Sequence, residues 1–107
     1  MRNLIAGTKN ASGDNTLIAA PGAGMNIVVS SIVIQNESAI PTTILLKSGS
    51  TVLMRHLLQN QGDVFGRAWE NGAELELGDN EALILNLSAA NSHGYNVEYW
   101  TESVTVH

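Results

Sequence analysis

The sequence predicts an all-β protein with an antiparallel, jelly-roll-like β-sandwich. Short apolar or alternating runs follow one another along the chain, and each run is bounded by turn residues, which is typical of antiparallel sheets. Val, Ile, Thr and Leu fill the runs, whereas helical periodicity is weak. The chain has 107 residues, which is the size of one domain with a single core.

Eight runs are expected to form the strands of this sandwich. In chain order they are "NTLIAA", "NIVVSSIVIQN", "TTILLKS", "TVLMRHLLQ", "VFGRAWE", "AELELG", "EALILNLS" and "GYNVEYWTE". The Gly-containing connection over residues 47–50 joins the third and fourth runs and predicts a β-hairpin. Only the fourth run could be argued as a helix, and it is short and begins with β-branched residues. Eight short strands with loops of mixed length fit a jelly roll.

The first residues of the chain are predicted to stand apart from the sandwich. Residues 1–15 hold one apolar cluster, Leu4-Ile5-Ala6, and continue with residues that favour turns over regular structure. We therefore expect residues 1–15 to form an extended N-terminal arm and residues 16–107 to form the β-sandwich domain.

Composition and charge exclude several classes of function. The net charge is −5, with two Lys and three Arg that form no basic cluster, so neither nucleic acid nor an anionic membrane is an expected partner. The absence of cysteine excludes disulfides, thiolate metal sites and cysteine nucleophiles. The sequence also lacks an apolar stretch as long as a signal peptide or membrane span requires.

The candidate catalytic residues do not form a recognisable constellation. His56, His93 and His107 are expected mid-strand, in a turn and at the terminus, and the sequence has no "GxSxG" motif for a nucleophile. Glu74 and Glu76 could be a carboxylate pair for glycoside hydrolysis, but their alternation with Leu fits a solvated strand face better. We expect no enzymatic activity.

One turn offers oxygen ligands for a metal ion. Asp79, Asn80 and Glu81 could contribute to a calcium site. Asp and Asn also favour turns through their own backbone hydrogen bonds, without any metal. We therefore expect no metal and no other cofactor.

Apolar residues fall on both faces of several predicted strands. In "ALILNL", Leu83, Leu85 and Leu87 share one face and Ile84 lies on the other. One face of an antiparallel sandwich normally meets water, so this pattern suggests that other protein covers part of the outside. The alternative is an ordinary monomer with scattered exposed aliphatic residues.

The aromatic residues divide between core and surface. Tyr95, Val97 and Tyr99 alternate and are predicted to fill the core, which leaves Trp100 on the opposite face. For Trp69 and Trp100, burial in a core or an interface is favoured over stacking on a sugar, because Trp often anchors interfaces.

Several motifs resemble small β-sandwich virion proteins of tailed bacteriophages. They are a "TxxLLKSGSTVL" hairpin, a Gly-rich loop, an "LxLGxxEALxLNLSxAN" strand pair and a final "GYxVEY" strand, and the resemblance spans about residues 25–102. The chain resembles the capsid decoration (cement) proteins of that group, and similar sandwich modules occur in tail and fibre proteins. None of the motif residues is catalytic.

The resemblance implies a non-enzymatic protein on the capsid exterior that is made in the host cytoplasm. It would bind and stabilise the outer shell, with the major capsid protein and further copies of itself, as a homo-dimer or homo-trimer, as its partners. A tail or tail-fibre module, which could bind a host glycan, is the alternative. The expected interface residues are Arg2, Leu4 and Ile5 on the arm, with Trp69, Ile84 and Trp100 as outer-face anchors.

Overall fold

The computed structural model describes residues 2–104 and folds them into nine β-strands. Within that range there is no helix long and apolar enough to cross a membrane. The strands are β1 (Asn3–Lys9), β2 (Gly13–Ile18), β3 (Met25–Asn36), β4 (Thr42–Ser48), β5 (Thr51–Leu58), β6 (Val64–Ala68), β7 (Leu75–Glu76), β8 (Leu83–Leu87) and β9 (His93–Ser103).

The strands form two antiparallel sheets. The front sheet has the order β1-β9-β3-β6, and the short β7 also pairs with β3; the back sheet has the order β2-β8-β4-β5. β4 pairs with β5, β3 with β6, β2 with β8 and β1 with β9. The chain is thus one long hairpin rolled into two sheets, which is a jelly roll. The predicted all-β sandwich and the predicted hairpin at residues 47–50 are confirmed.

The N-terminal residues belong to the sandwich, which corrects the interpretation of residues 1–15 as an arm. β1 pairs with β9 over its whole length, and β2, which spans the expected boundary at residue 16, pairs with β8. Ile5 faces Val97 across β1 and β9 and packs against the core. Gly7, which favoured a turn in the sequence, lies opposite Tyr95, whose hydroxyl oxygen is 2.8 Å from the position that a Cβ would take. A larger residue at this position would require the Tyr95 ring to move.

A β-bulge explains why β3 does not alternate simply. The pairing of β3 with β9 shifts between Val29 and Ser31, so Ser30 is an extra residue. The residues on both sides of the bulge can therefore face the core. The buried apolar core is entirely aliphatic and comprises Leu17, Ile18, Ile27, Val29, Ile32, Ile34, Ile44, Leu46, Leu58, Leu77, Leu83, Leu85, Leu87 and Val97. Tyr95 and Tyr99 pack against it, as predicted.

Candidate protein-docking surface

The outer face of the front sheet is built from three rows of cross-strand neighbours. Each row crosses β1, β9, β3 and β6 in that order, and its members follow from the register of the four strands. The rows are Leu4, Glu98, Ser31 and Ala68; Ala6, Asn96, Val33 and Gly66; and Thr8, Gly94, Gln35 and Val64. We call this set of residues the outer grid.

The outer grid is apolar in part and nearly uncharged. Half of its residues are Gly, Ala, Ser or Thr, and its larger apolar members are exposed: Leu4 by 76%, Val33 by 39% and Val64 by 51%. Two adjoining depressions of about 260 and 210 Å³ open on it, and both are lined by Ala6, Val33 and Asn96. The outer grid thus combines exposed apolar groups, short side chains and two shallow depressions on one face of the sheet.

The single carboxylate of the outer grid is neutralised within the chain. Glu98 accepts a hydrogen bond from Arg2 Nη1 at 3.0 Å and another from the hydroxyl of Ser30 at 2.6 Å. Ser30 is the bulge residue, so the irregularity in β3 supplies this second donor. The charge of Glu98 therefore adds little repulsion toward an acidic partner.

The outer face of the back sheet has a different chemistry. Lys47 Nζ lies 3.1 Å from Asp14 Oδ2, and Asn86 Nδ2 donates to Asp14 Oδ1 at 2.7 Å. These hydrogen bonds, with the one from Asn86 contributing most, lower the pKa of the Asp14 carboxyl below its usual value. Exposed apolar residues, Val52 and Leu57, occur on β5 at the margin of this sheet. The charged centre makes it the poorer candidate for an apolar contact.

Three of the predicted interface residues meet on the outer side of the front sheet. Leu4 lies in the outer grid beside Glu98, to which Arg2 is bonded. The Arg2 guanidinium carbon also lies 5.4 Å from the ring centroid of Trp100, a cation–π contact. Trp100 Nε1 in turn donates to Glu102 Oε2 at 3.3 Å. Arg2 is thus held by its own chain.

The other three predicted interface residues are directed elsewhere. Ile5 and Trp69 are half-buried and pack against the core, and the guanidinium of Arg67 lies 5.4 Å from the Trp69 ring centroid. Ile84 is on the outer face of the back sheet, between Thr16 and Lys47, but is only 9% exposed. Their small exposed area makes these three residues weaker candidates for an interface than Leu4, and their predicted interface roles stay predictions.

The described histidines lie in structural settings. His93, at the start of β9, is fully buried, and its Nδ1 lies 2.9 Å from the carbonyl oxygen of Asn91. Since a carbonyl only accepts, Nδ1 carries the hydrogen, and Nε2 has no hydrogen-bond partner within residues 2–104. His56, on β5, contacts the ring of Phe65 with centroids 5.1 Å apart. His107 lies outside the described residues.

The turn considered for calcium uses its oxygens on the chain itself. Asp79 Oδ1 accepts from the backbone N–H of Gly24 at 2.8 Å, and Asn80 Oδ1 accepts from that of Gly22 at 2.9 Å. Glu81 accepts from the hydroxyl of Ser48 at 2.6 Å. Residues 2–104 contain no group of three or more His, Cys, Asp or Glu placed to hold a metal ion.

Comparisons with known proteins bear on the fold. No protein-family model matches the chain, and no curated protein matches it. It is similar to a solved structure of the disulfide-linked pili that form Bacillus endospore appendages, with 14% identity and a TM-score of 0.57, covering 98% of this chain and 88% of that one. The likeness shows the fold. The Tobacco streak virus coat protein, with 12% identity, 98% and 90% coverage and a TM-score of 0.32, is too distant to carry an argument.

Proposed function

We propose that this chain is a non-enzymatic structural protein that binds the outside of a protein shell through its outer grid, as a capsid decoration protein of a tailed bacteriophage. The observation that carries the proposal is the outer face of the front sheet, which is exposed, nearly uncharged and rich in short side chains. The motif resemblance points to the same group of virion proteins. The similarity to a pilus protein accords with a structural role, but the absence of cysteine means that this chain cannot be linked by disulfides.

The composition of the outer grid suits it to docking on folded protein. Short side chains lose little rotamer freedom when they are covered, so little entropy opposes binding. Burial of the exposed apolar area of Leu4, Val33 and Val64 would provide favourable free energy of binding. From strand spacing and rise, the outer grid covers about 400 Å², roughly half of what each partner contributes to a standard interface.

Co-sedimentation with phage shells tests this proposal. Purified protein is mixed with capsids of a tailed bacteriophage from which the decoration protein is absent, and the pellet is imaged by electron cryo-microscopy. We expect the protein in the pellet, as ordered density with the outer grid toward the major capsid protein. Protein that stays in the supernatant with every shell tried would contradict the decoration role.

A matched pair of variants identifies the face that binds. Val33→Glu places a carboxylate in the middle row of the outer grid, whereas Val52→Glu places one on exposed β5 of the back sheet. We expect Val33→Glu to weaken shell binding at least tenfold, because a buried unpaired charge is costly, and Val52→Glu to bind like the unmodified protein. The reverse order would move the docking surface to the back sheet.

A tail or tail-fibre module that binds host glycan is the second candidate. The depression of about 260 Å³ is lined by Gln35, Glu37 and Asn96, which offer hydrogen-bonding groups to a sugar. Trp100 is less suitable as a sugar platform, because Arg2 covers one face of its ring. A glycan array probed with the unmodified protein and with Asn96→Ala tests this candidate, and an array without hits would count against it.

A further inference from the structure

The free edge of β1 is less protected than the other strand edges of the described sandwich. β2 and β5, the edges of the back sheet, each carry a register shift, at residue 17 and residue 53. β6 is short and contains Arg67. β1 pairs over seven residues without a shift, contains no proline, and has Lys9 as its one charged residue, at its end. Bulges, charged residues and short length are the usual features that block pairing at a strand edge. β1 has fewer of these features than the other edge strands.

The chemistry of this edge specifies what can cover it. Alternate residues of β1 direct their backbone N–H and C=O groups away from β9, and only an extended strand can bond to such a row. The burial pattern of β1 is largely exposed. A protein partner that bonds along this edge would therefore do so with a β-strand.

Charge makes a second copy of the chain a suitable source of that strand. Copies with a net charge of −5 repel each other, so they can associate only where carboxylates are absent or neutralised. Residues 3–9 contain no carboxylate, and the neighbouring Glu98 is bonded to Arg2. In an antiparallel pair related by a two-fold axis, the two Lys9 side chains lie at opposite ends, roughly 20 Å apart.

We infer that β1 pairs antiparallel with β1 of a second copy, so that the two front sheets form one continuous sheet. The two-fold axis is then perpendicular to the sheet, and both outer grids face the same way. Their combined area is roughly 800 Å², the amount that each partner contributes to a standard interface. The inference deepens the proposed function, and the use of the doubled docking area in shell binding rests on that function. The pairing of the two β1 strands can be measured without a shell.

Hydrogen exchange at several protein concentrations tests the pairing directly. Sedimentation should show a dimer that forms as concentration rises, and alternate amides of residues 3–9 should exchange at least tenfold more slowly in the dimer. The amides of β5, the edge strand of the other sheet, serve as the control and should not change. A protein that remains monomeric, or a dimer that protects β5 and not β1, would overturn the inference.

Two adjacent proline substitutions provide a second test. Of Thr8→Pro and Lys9→Pro, one removes an N–H that points to the free edge and the other removes one that points to β9, because neighbouring residues of a strand point to opposite edges. The variant that loses the N–H at the free edge should keep the stability of the monomer but dimerise at least tenfold more weakly. Unchanged dimerisation of both folded variants would contradict β1 pairing.

The two proposals fail in different ways. Shell binding by a protein whose β1 amides show no protection at any concentration would remove the dimer and keep the decoration role. A dimer with protected β1 amides that does not bind shells would remove the decoration role and keep the pairing.

Discussion

At the scale of single residues, the polar groups inside the sandwich bond to one another and to the backbone of turns. Asn36, Thr42, Asn91 and His93 are all buried at one end. Thr42 Oγ1 donates to Asn91 Oδ1 at 2.9 Å, and Asn36 Nδ2 donates to the carbonyl oxygen of Ile40 at 2.9 Å. This cluster fixes the β3–β4 turn against the start of β9. Its hydrogen bonds therefore contribute to the stability of this end of the sandwich.

Replacing one hydroxyl in this cluster should be costly. Thr42→Val removes the donor to Asn91 Oδ1 and leaves a buried acceptor without its partner, so we expect the free energy of unfolding to fall by about 1 to 3 kcal/mol. Thr43→Val is the matched control, because Thr43 is half-buried and its hydroxyl makes no hydrogen bond within residues 2–104. Urea denaturation measures both. Equal losses for the two variants would show that the Thr42 hydroxyl has no special role.

The Asp14 carboxylate gives the back sheet an acid-dependent contribution to stability. Its pKa is lowered in the folded protein by the hydrogen bonds from Asn86 and Lys47. A lowered pKa stabilises the fold at pH values above the unfolded value near 3.8, and this contribution is lost as the pH falls through the folded pKa. We expect Asn86→Ala to raise the pKa of Asp14, measured by NMR titration of the carboxyl carbon. An unchanged titration would contradict the assigned cause.

At the scale of strands, the alternation of residues predicted β3 to β9 better than it predicted β1. The hairpin of β4 and β5 and the inward Tyr95 and Tyr99 were readable because a period of two and a Gly-containing turn are local signals. β1 was missed because Gly7 favours a turn locally, and its reason for being in a strand, the ring of Tyr95, is far away in the sequence. The outer grid was missed because its rows depend on the bulge at Ser30, which the sequence does not reveal.

Removal of β1 should therefore damage the fold. Deletion of residues 1–9 takes Ile5 from the core margin and exposes the edge of β9, the partner of β1 along its full length. We expect the truncated chain to be less stable and to aggregate, as measured by circular dichroism and size-exclusion chromatography. A truncated chain that is monomeric and as stable as the full chain would show that β1 behaves as an arm after all.

At the scale of the whole molecule, the rolled hairpin orders the contacts by their distance along the chain. β4 and β5 pair across a two-residue connection, whereas β1 pairs with β9, so that Asn3 meets Tyr99. Strands that are far apart along the chain lose loop-closure entropy before their contacts form, so sandwiches of this kind fold slowly. The local hairpin is the natural start of folding and the β1–β9 pair its natural end.

Stopped-flow kinetics can test this order. We expect Leu46→Ala, on β4, to slow folding, and Ile5→Ala, on β1, mainly to speed unfolding, because the first residue packs early and the second late. Both changes should leave one kinetic phase. Slower folding of Ile5→Ala with an unchanged unfolding rate would place β1 in the folding nucleus.

The adjacency of β1 and β9 also decides how the molecule bears mechanical load. The start of β1 lies beside the last part of β9, since Asn3 pairs with Tyr99. A force that pulls these two strand ends apart breaks the hydrogen bonds between β1 and β9 one at a time, so each step meets little resistance. A force that pulls the two faces of the sandwich apart must instead expose much of the apolar core between the sheets at once. A protein that reinforces a shell with this fold would therefore transmit tension through its faces and keep its chain ends unloaded.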